Sequence, residues 1–176
     1  MILIISTCAD KLSEAEFVKP IVIIVGKCEI KHYNDKIDFK KYSKIIICGT
    51  ALKDNSYLEK IDNFLSLKET IASVLGICSG MQILGLLYGG NIIKNKEIGM
   101  TQIKTIKKNQ LVSGEFEAYS LHGNGLENLD QFDILAESAK SVQAIKHKKK
   151  EFYGIMFHPE VRNEKIVRNF LDFAGM

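Results

Sequence analysis

A cysteine between two glycines is the residue whose surroundings in this sequence most suggest chemistry. Cys78 lies in GICSGMQ, where the apolar stretch ASVLGIC meets a helix-forming sequence. Gly76 and Gly80 remove side chains that would collide if a strand and a helix packed around a tight turn. With serine, the same arrangement is the nucleophile elbow of α/β hydrolases, in which a helix N-terminus also favours an anion. Cys78 is therefore either a reactive thiolate or a small core residue between packing glycines.

A histidine and a glutamate near the end of the sequence supply the other groups that a cysteine nucleophile needs. His158 follows the apolar stretch FYGIMF, and Pro159 separates it from Glu160. Cysteine nucleophiles act with a nearby imidazole, which a third group holds in place. Pro159 restricts the backbone, so Glu160 can reach one ring nitrogen while the other faces the thiol. The sequence thus predicts a triad of Cys78, His158 and Glu160, formed where two strand ends meet at one edge of a sheet.

The remaining cysteines and the length of the chain limit the class of protein. With 176 residues, of which 46% are hydrophobic and 26% charged, we expect one domain spanning residues 1–176. Cys8, Cys28 and Cys48 form no CxxC pair with one another or with Cys78, and no histidine stands at a zinc-ligand spacing. We therefore expect reduced thiols and no metal site.

The charge and hydropathy of the chain argue against nucleic-acid and membrane partners. The formal net charge is +3, and the one dense basic segment, KHKKK (146–150), lacks interleaved aromatic or arginine residues. A solvated hairpin tip is the favoured interpretation of that segment over a nucleic-acid site. No apolar run approaches the roughly 18 residues of a membrane helix, and MILIIS does not resemble a signal peptide. We expect a cytoplasmic protein.

The elements that must position these residues follow from the apolar pattern. Short continuous apolar runs predict strands buried on both faces, which are typical of a parallel sheet with helical crossovers. In the first half, the predicted strands are MILIIS (1–6), PIVIIVG (20–26), KIIICG (44–49) and ASVLGIC (72–78). The predicted helices are SGMQILGLLYGG (79–90) and SYLEKIDNFLSL (56–67), the latter with Leu58, Ile61, Phe64, Leu65 and Leu67 on one side and Ser56 as its cap.

The second half of the sequence predicts strands joined by tight polar turns, followed by a helix. From about Glu97, the predicted strands are MTQIKTI, EFEAYSLHG, FDILAES, SVQAIKH and FYGIMFH, with a sharp hairpin at Lys148 to Glu151. The helix is NEKIVRNFLDFAGM (163–176), with Asn163 as a possible cap and Ile166, Val167, Phe170, Leu171 and Phe173 on its apolar side.

Two sequence boxes resemble those of the class I glutamine amidotransferases, and the resemblance runs over nearly the whole chain. GICSGMQ resembles G-[IV]-C-x-G-x-Q, and GIMFHPE resembles G-[VI]-x-F-H-P-E. The resemblance implies a flavodoxin-like α/β fold: a mostly parallel central sheet with helices on both faces and an antiparallel β extension in the second half. It also implies that Cys78 is the nucleophile, His158 the general base and acid, and Glu160 the residue that orients the histidine.

The resemblance extends to residues that would bind the substrate. Gln82 matches a family glutamine that contacts substrate, although the residue alone is equally a polar group on a helix face. CGTAL stands in place of the family's G-G-P loop but lacks its second glycine and its proline. The positions implied to bind substrate or its oxyanion are Gln82, Gly49, Thr50, Ser79 through its N–H, and the backbone of Leu121, His122 and Gly123. The His122 side chain is expected to be structural or to face a partner.

The implied reaction is hydrolysis of L-glutamine to glutamate and ammonia, with no cofactor. No Walker-type sequence is present, so we expect a partner synthetase subunit that accepts the ammonia. The glutaminase subunit of a two-chain GMP synthetase is the first candidate, although Met81 stands where that subunit usually has histidine. The glutaminase subunits of imidazole glycerol phosphate synthase and anthranilate synthase remain alternatives. Two further alternatives are a degenerate amidotransferase that only binds, and a related cysteine hydrolase of γ-glutamyl compounds or peptides.

Overall fold

Nine strands form a single sheet in the part of the chain that the structure, a computed structural model, describes, residues 1–173. The strands are β1 (Ile2–Ser6), β2 (Glu29–His32), β3 (Lys44–Ile47), β4 (Ser73–Ile77), β5 (Asn91–Thr105), β6 (Glu115–Glu127), β7 (Phe132–Glu137), β8 (Val142–His147) and β9 (Phe152–Ile155). Their order across the sheet is β2-β1-β3-β4-β9-β8-β7-β5-β6. In this order, the strands from β2 to β9 are parallel to one another. Each neighbouring pair from β9 to β6 is antiparallel. The predicted parallel sheet with an antiparallel extension is confirmed.

Helices cover both faces of the parallel part of the sheet, which explains why the sequences of its inner strands are mainly apolar. The helices are α1 (Glu14–Phe17), α2 (Lys19–Val25), α3 (Ser79–Leu87) and α4 (Lys165–Phe173), with short 3₁₀ helices at Lys11–Ser13 and Phe39–Lys41 and a longer one at Ser56–Glu69. Ile4 packs in one core cluster with α1, α2 and α4. Leu3 and Ile5 pack in the other with α3 and the long 3₁₀ helix.

The predicted strand at PIVIIVG (20–26) is wrong, because this segment forms α2. Pro20 lies in the first turn of the helix, and Gly26 ends it at a φ of 78°. Proline at the start and glycine at the end are helix signals, and here they outweigh the strand preference of the β-branched residues. Ile21 is fully buried while Ile23 is 73% exposed, so α2 buries only one side. The second strand is instead the more polar β2 at the edge of the sheet.

The predicted α-helix at 56–67 is a 3₁₀ helix that continues to Glu69 and has non-helical backbone angles at Lys60. Leu58, Ile61, Phe64 and Leu67 recur at intervals of three, which is the period of a 3₁₀ helix, whose side chains at i and i+3 lie above one another. Leu65 is off this line and is exposed. Ser56 does not cap the helix; Asn55 stands at the cap position and makes no side-chain capping bond.

In the second half, the predicted strands are confirmed with changed bounds. β5 begins at Asn91 rather than near Glu97, and the predicted strand FYGIMFH is shorter because β9 ends at Ile155. The hairpin at Lys148 to Glu151 joins β8 and β9, and Lys148 and Lys149 at its tip are exposed. β9 pairs with β4 on one side and with β8 on the other, so it joins the parallel and antiparallel halves of the sheet.

The last helix begins at Lys165, after the predicted start at Asn163. Asn163 has a φ of 79°, and its side chain donates to the Glu117 carbonyl oxygen instead of capping the helix. Ile166, Val167 and Phe170 are buried, as predicted. Residues 174–176 of the predicted helix lie outside the described residues.

Candidate active site

Cys78 lies at the turn between β4 and α3 in a backbone conformation that few residues other than glycine adopt. Its φ is 50° and its ψ is −102°. The Cys78 N–H donates to the Ile155 carbonyl oxygen at 2.7 Å, and the Cys78 carbonyl accepts the hydrogen bond of the Gln82 N–H at 3.1 Å. Bonds to β9 and to α3 therefore hold the strained turn in place. The turn sets the thiol at the carboxyl end of β4 and at the N-terminus of α3, as in a nucleophile elbow.

The two glycines around Cys78 are required by close backbone contacts. A Cβ atom on Gly76 would lie 2.4 Å from the Gly80 carbonyl carbon and oxygen. A Cβ atom on Gly80 would lie 2.4 Å from the Ile47 carbonyl oxygen of β3. Because backbone atoms cannot move aside as the end of a side chain can, both positions exclude any larger residue.

The pairing of β4 with β9 brings the C-terminal histidine and glutamate to the cysteine. The Nδ1 of His158 donates to Oε1 of Glu160 at 2.6 Å, and His158 is fully buried. The backbone N–H of His158 donates to the Tyr119 carbonyl oxygen at 2.8 Å, which fixes the histidine against β6. Among the described residues, the Nε2 of His158 has no hydrogen-bond partner. This nitrogen is thus available to exchange a proton.

His158 and Cys78 converge on Gly49, at the end of β3. A Cβ atom on Gly49 would lie 2.6 Å from Cε1 of His158 and 3.4 Å from Cβ of Cys78. Burial of the His158 ring works against its protonation, but Cys78 and Glu160 outweigh this effect and raise the pKa of His158 to about 10. Cys78 and Glu160 therefore favour the protonated form of the imidazole.

The loop after β3 is fixed by a carboxylate, although it lacks the second glycine and the proline of the family. Oδ2 of Asp54 accepts from the Thr50 hydroxyl and from the Ala9 N–H, both at 2.7 Å, and Oδ1 accepts from the Ser56 N–H at 3.1 Å. Burial opposes ionisation of Asp54, yet these hydrogen bonds lower its pKa below the ordinary value. The Gly49–Thr50 segment therefore has a defined position beside the thiol.

Ser79, which follows the cysteine, is held by its side chain. Its hydroxyl lies 2.7 Å from the Thr7 hydroxyl and donates to the Cys48 carbonyl oxygen at 3.1 Å. These bonds connect the start of α3 to the ends of β1 and β3. The Ser79 N–H belongs to the first turn of α3, where backbone donors have no acceptor within the helix.

A small pocket lies in front of Cys78. The predicted residues Thr50, Ser79, Gln82, Leu121, His122 and Gly123 line it together with Cys78. The other three predicted residues, Gly49, His158 and Glu160, contact Cys78 or each other rather than the pocket surface. The structure thus brings every predicted site residue to one place.

Six further residues line this pocket beyond the positions predicted to bind substrate. They are Ala51, Leu52, Asp54, Asn55, Tyr57 and Asn124. The first five follow Thr50 closely in the chain, and Asn124 follows Gly123. Their closeness in sequence to predicted site residues is the one sign that they could line the pocket. Tyr57 lies in a segment whose apolar period indicates a packing helix, so the sequence gives no sign that it lines a pocket.

Both the oxygen and the nitrogen of the Gln82 side-chain amide form hydrogen bonds. The Tyr57 hydroxyl donates to its Oε1 at 2.5 Å, and its Nε2 donates to the Asn124 carbonyl oxygen at 3.3 Å. Gln82 is 2% exposed. The side chain therefore forms part of the pocket wall, in a fixed orientation.

The structure also bears on metals and membranes. Within residues 1–173, no group of three histidine, cysteine, aspartate or glutamate side chains is arranged to hold a metal ion. None of the helices described in that range has the length and hydropathy needed to cross a bilayer.

Residues 18–173 match the family model of glutamine amidotransferase class-I. The chain belongs to the class I glutamine amidotransferase family. A glutamine-hydrolyzing GMP synthase subunit of Methanocaldococcus jannaschii is 34% identical to this amidotransferase over 139 residues, 72% of this chain and 74% of the relative. The corresponding protein of Saccharolobus solfataricus is 29% identical over 148 residues, 79% of each chain.

Solved structures share the fold of this amidotransferase. A protein from Thermoplasma acidophilum, assigned to the same GMP synthase subunit, superposes with a TM-score of 0.81 at 24% identity, over 97% of this chain and 92% of that one. A glutamine amidotransferase from Thermotoga maritima gives a TM-score of 0.69 at 16% identity, over 98% and 83%. At these identities the likeness establishes the fold.

Proposed function

We propose that this amidotransferase is the glutaminase subunit of a two-chain GMP synthetase, which hydrolyses L-glutamine and passes the ammonia to a synthetase subunit. The observation that carries the proposal is the elbow cysteine Cys78 beside the buried pair of His158 and Glu160. The names of the relatives from Methanocaldococcus jannaschii and Saccharolobus solfataricus supply the acceptor enzyme. We further propose that residues 1–176 form one domain that acts in the cytoplasm.

In the proposed reaction, the Cys78 thiolate attacks the side-chain amide carbon of glutamine. The His158 imidazolium donates its Nε2 proton to the departing nitrogen, so that ammonia leaves and a thioester remains. His158 then accepts a proton from water, whose oxygen attacks the thioester carbon and releases glutamate. Glu160 holds the ring in the required orientation through Nδ1 throughout.

The oxyanion that forms in each half of the reaction needs backbone donors. The Ser79 N–H lies next to the nucleophile at the start of α3, and the Gly49–Thr50 segment lies beside the thiol. We assign these backbone groups as oxyanion donors, with Asp54 fixing the second segment through Thr50.

Exposed apolar side chains close to the pocket support a partner at this face. Ile98 and Met100 on β5 are about half exposed, and they lie opposite Leu121 and Tyr119 on β6. Val161, directly after Glu160, is also exposed. Apolar surface beside an active site favours association with another protein. Met81 contributes nothing to this face, because it is fully buried against Gly154.

The proposal is tested by ammonia release from glutamine, measured with the chain alone and with the synthetase subunit of GMP synthetase. Cys78→Ala is expected to reduce the rate to background while the variant still binds glutamine. Cys28→Ala is the matched control, since Cys28 is a half-buried cysteine outside the pocket.

Release at the wild-type rate from Cys78→Ala would overturn the mechanism. Glutamine binding without ammonia release by the wild-type complex would favour the degenerate binding subunit. Faster cleavage of γ-glutamyl peptides than of glutamine would favour the related hydrolase.

A further inference from the structure

Glu97 is a buried carboxylate that the proposed reaction does not use. It lies on β5 and is 6% exposed. Ser138 donates to its Oε1 at 2.8 Å, while Ser141 and Gln143 donate to its Oε2 at 2.5 and 2.7 Å. A buried carboxylate requires such donors, because an unpaired charge is costly in the interior. Three separate side chains therefore fix the position of Glu97 from the β7–β8 turn and from β8.

His122 faces this carboxylate from the neighbouring strand. Its Nε2 lies 3.3 Å from Oε2 of Glu97. Its Nδ1 lies 3.0 Å from the Asn124 carbonyl oxygen and 3.1 Å from that of Asn95. Carbonyl oxygens only accept hydrogen bonds, so Nδ1 carries a hydrogen. Nε2 is therefore the ring nitrogen that faces the Glu97 carboxylate.

An irregularity in β5 directs Glu97 inward. The register with β6 shifts between Lys94 and Glu97, so β5 contains one extra residue at this point. The shift places Glu97 opposite His122 and buries it, while Ile98 points outward. Bulges commonly re-aim a side chain next to an active site.

The pair is connected to the pocket through a single carbonyl group. The Asn124 carbonyl oxygen accepts from Nδ1 of His122 and also from Nε2 of Gln82. His122, Asn124 and Gln82 all line the pocket, and so does Tyr57, which donates to Gln82. The orientation of the Gln82 amide and of the backbone at 121–124 thus depends on the His122 ring.

We propose that Glu97 and His122 are positioning residues for glutamine binding. Glu97 holds the His122 ring, His122 holds the Asn124 carbonyl, and this carbonyl holds Gln82 and the substrate-facing backbone of β6. Neither side chain takes part in bond making. The proposal rests on the proposed glutaminase function, and it predicts an effect on glutamine binding that is separate from the reactivity of Cys78.

The test compares glutaminase kinetics of Glu97→Ala, Glu97→Gln and wild type in the complex with the synthetase subunit. Glu97→Ala is expected to raise the KM for glutamine by roughly tenfold or more, with kcat much less affected. Alkylation of Cys78 by iodoacetamide, a small reagent that reports the reactivity of the thiol, is expected to keep its wild-type rate. Glu97→Gln is expected to restore KM, because its amide N–H can donate to Nε2 of His122.

The glutamine variant is accommodated by the neighbouring side chain. Oε1 of Gln143 is buried without a hydrogen-bond partner among the described residues, so a rotated Gln143 amide can accept the second N–H of the new side chain. Glu115→Ala is the matched control, since Glu115 is an exposed glutamate on β6 paired only at the surface with Lys104. If Glu97→Ala does not fold, His122→Leu removes the Nδ1 donor and is expected to give the same rise in KM.

The outcomes separate this inference from the proposed function. An unchanged KM in both Glu97→Ala and His122→Leu overturns this inference and leaves the proposed function standing. An equal loss of the glutaminase rate and of the rate of alkylation by iodoacetamide does the same. Ammonia release from Cys78→Ala at the wild-type rate overturns the proposed function, and the inference falls with it. A rise in KM that Glu97→Gln reverses supports the positioning role.

Discussion

The charge on Cys78 affects how tightly the buried His158 ring holds its proton. The thiolate is one of the groups that raise the pKa of His158, together with Glu160. Once the thiol has become a thioester, its negative charge is gone and its contribution disappears. His158 then releases its proton more readily and can act as a base toward water. The proposed reaction therefore changes the proton affinity of the histidine at the step where a base is needed.

At the residue scale, we predict the order in which the histidine rings titrate. His158 is expected to titrate near pH 10, whereas burial lowers the pKa of His122 and of His147 below 6.5. Cys78→Ala and Glu160→Gln are each expected to lower the pKa of His158, since each removes a group that raises it. Titration of ¹⁵N-labelled imidazoles by NMR measures all three rings. A His158 midpoint that neither substitution moves would contradict the assigned cause.

The raised pKa of His158 also affects the free energy of unfolding of the protein. The pKa of His158 in the folded protein lies above its ordinary value of 6.5, so the folded state binds the proton more tightly than the unfolded chain. This contribution to the free energy of unfolding is fully present below pH 6.5 and is lost as the pH rises through about 10.

At the element scale, the sequence predicted the features that depend on local pattern. The apolar runs of β1, β3 and β4 and the glycines around Cys78 are direct signs of buried parallel strands and of a tight turn, and the structure confirms them. The β-branched residues of α2 favour a strand, and only the proline in its first turn and the glycine that ends it indicate a helix. The bulge that turns Glu97 inward depends on pairing with β6, which no local pattern reveals.

Also at this scale, we predict that the turn tolerates no side chain at Gly80. Gly80→Ala is expected to lower the free energy of unfolding by about 1 to 3 kcal/mol or more, since its Cβ would meet the Ile47 carbonyl. Gly85→Ala, in the same helix, is the control: the atoms nearest its Cβ belong to the Leu126 side chain rather than to backbone, and alanine favours the helix. Urea denaturation measures both. Equal stability of Gly80→Ala and wild type would show that the contact can relax.

At the scale of the whole molecule, the pocket and the exposed apolar residues lie on the same side. β4 and β9 are neighbours in the middle of the sheet, and the segments after them carry Cys78, His158 and Val161. The β5–β6 hairpin adds Ile98 and Met100 beside the pocket-lining strand. A partner that covers these residues would also cover the route by which ammonia leaves Cys78.

We predict that charge on this face weakens activation by the synthetase subunit. The double variant Ile98→Glu and Met100→Glu is expected to raise the concentration of synthetase subunit needed for half-maximal glutaminase activity by roughly tenfold or more. Ile71→Glu is the control, because Ile71 is fully exposed and precedes β4, at the end of that strand opposite Cys78. Equal effects of both changes would place the partner elsewhere.

The pairing of β4 with β9 also has a consequence for the order of events during synthesis of the chain. Cys78 leaves the ribosome long before His158, because most of the antiparallel strands lie between them in sequence. Until β9 inserts between β4 and β8, the thiol has neither its imidazole nor the Ile155 carbonyl that holds the turn. Under the proposed mechanism, the thiol of the nascent chain therefore becomes reactive only when the sheet is complete.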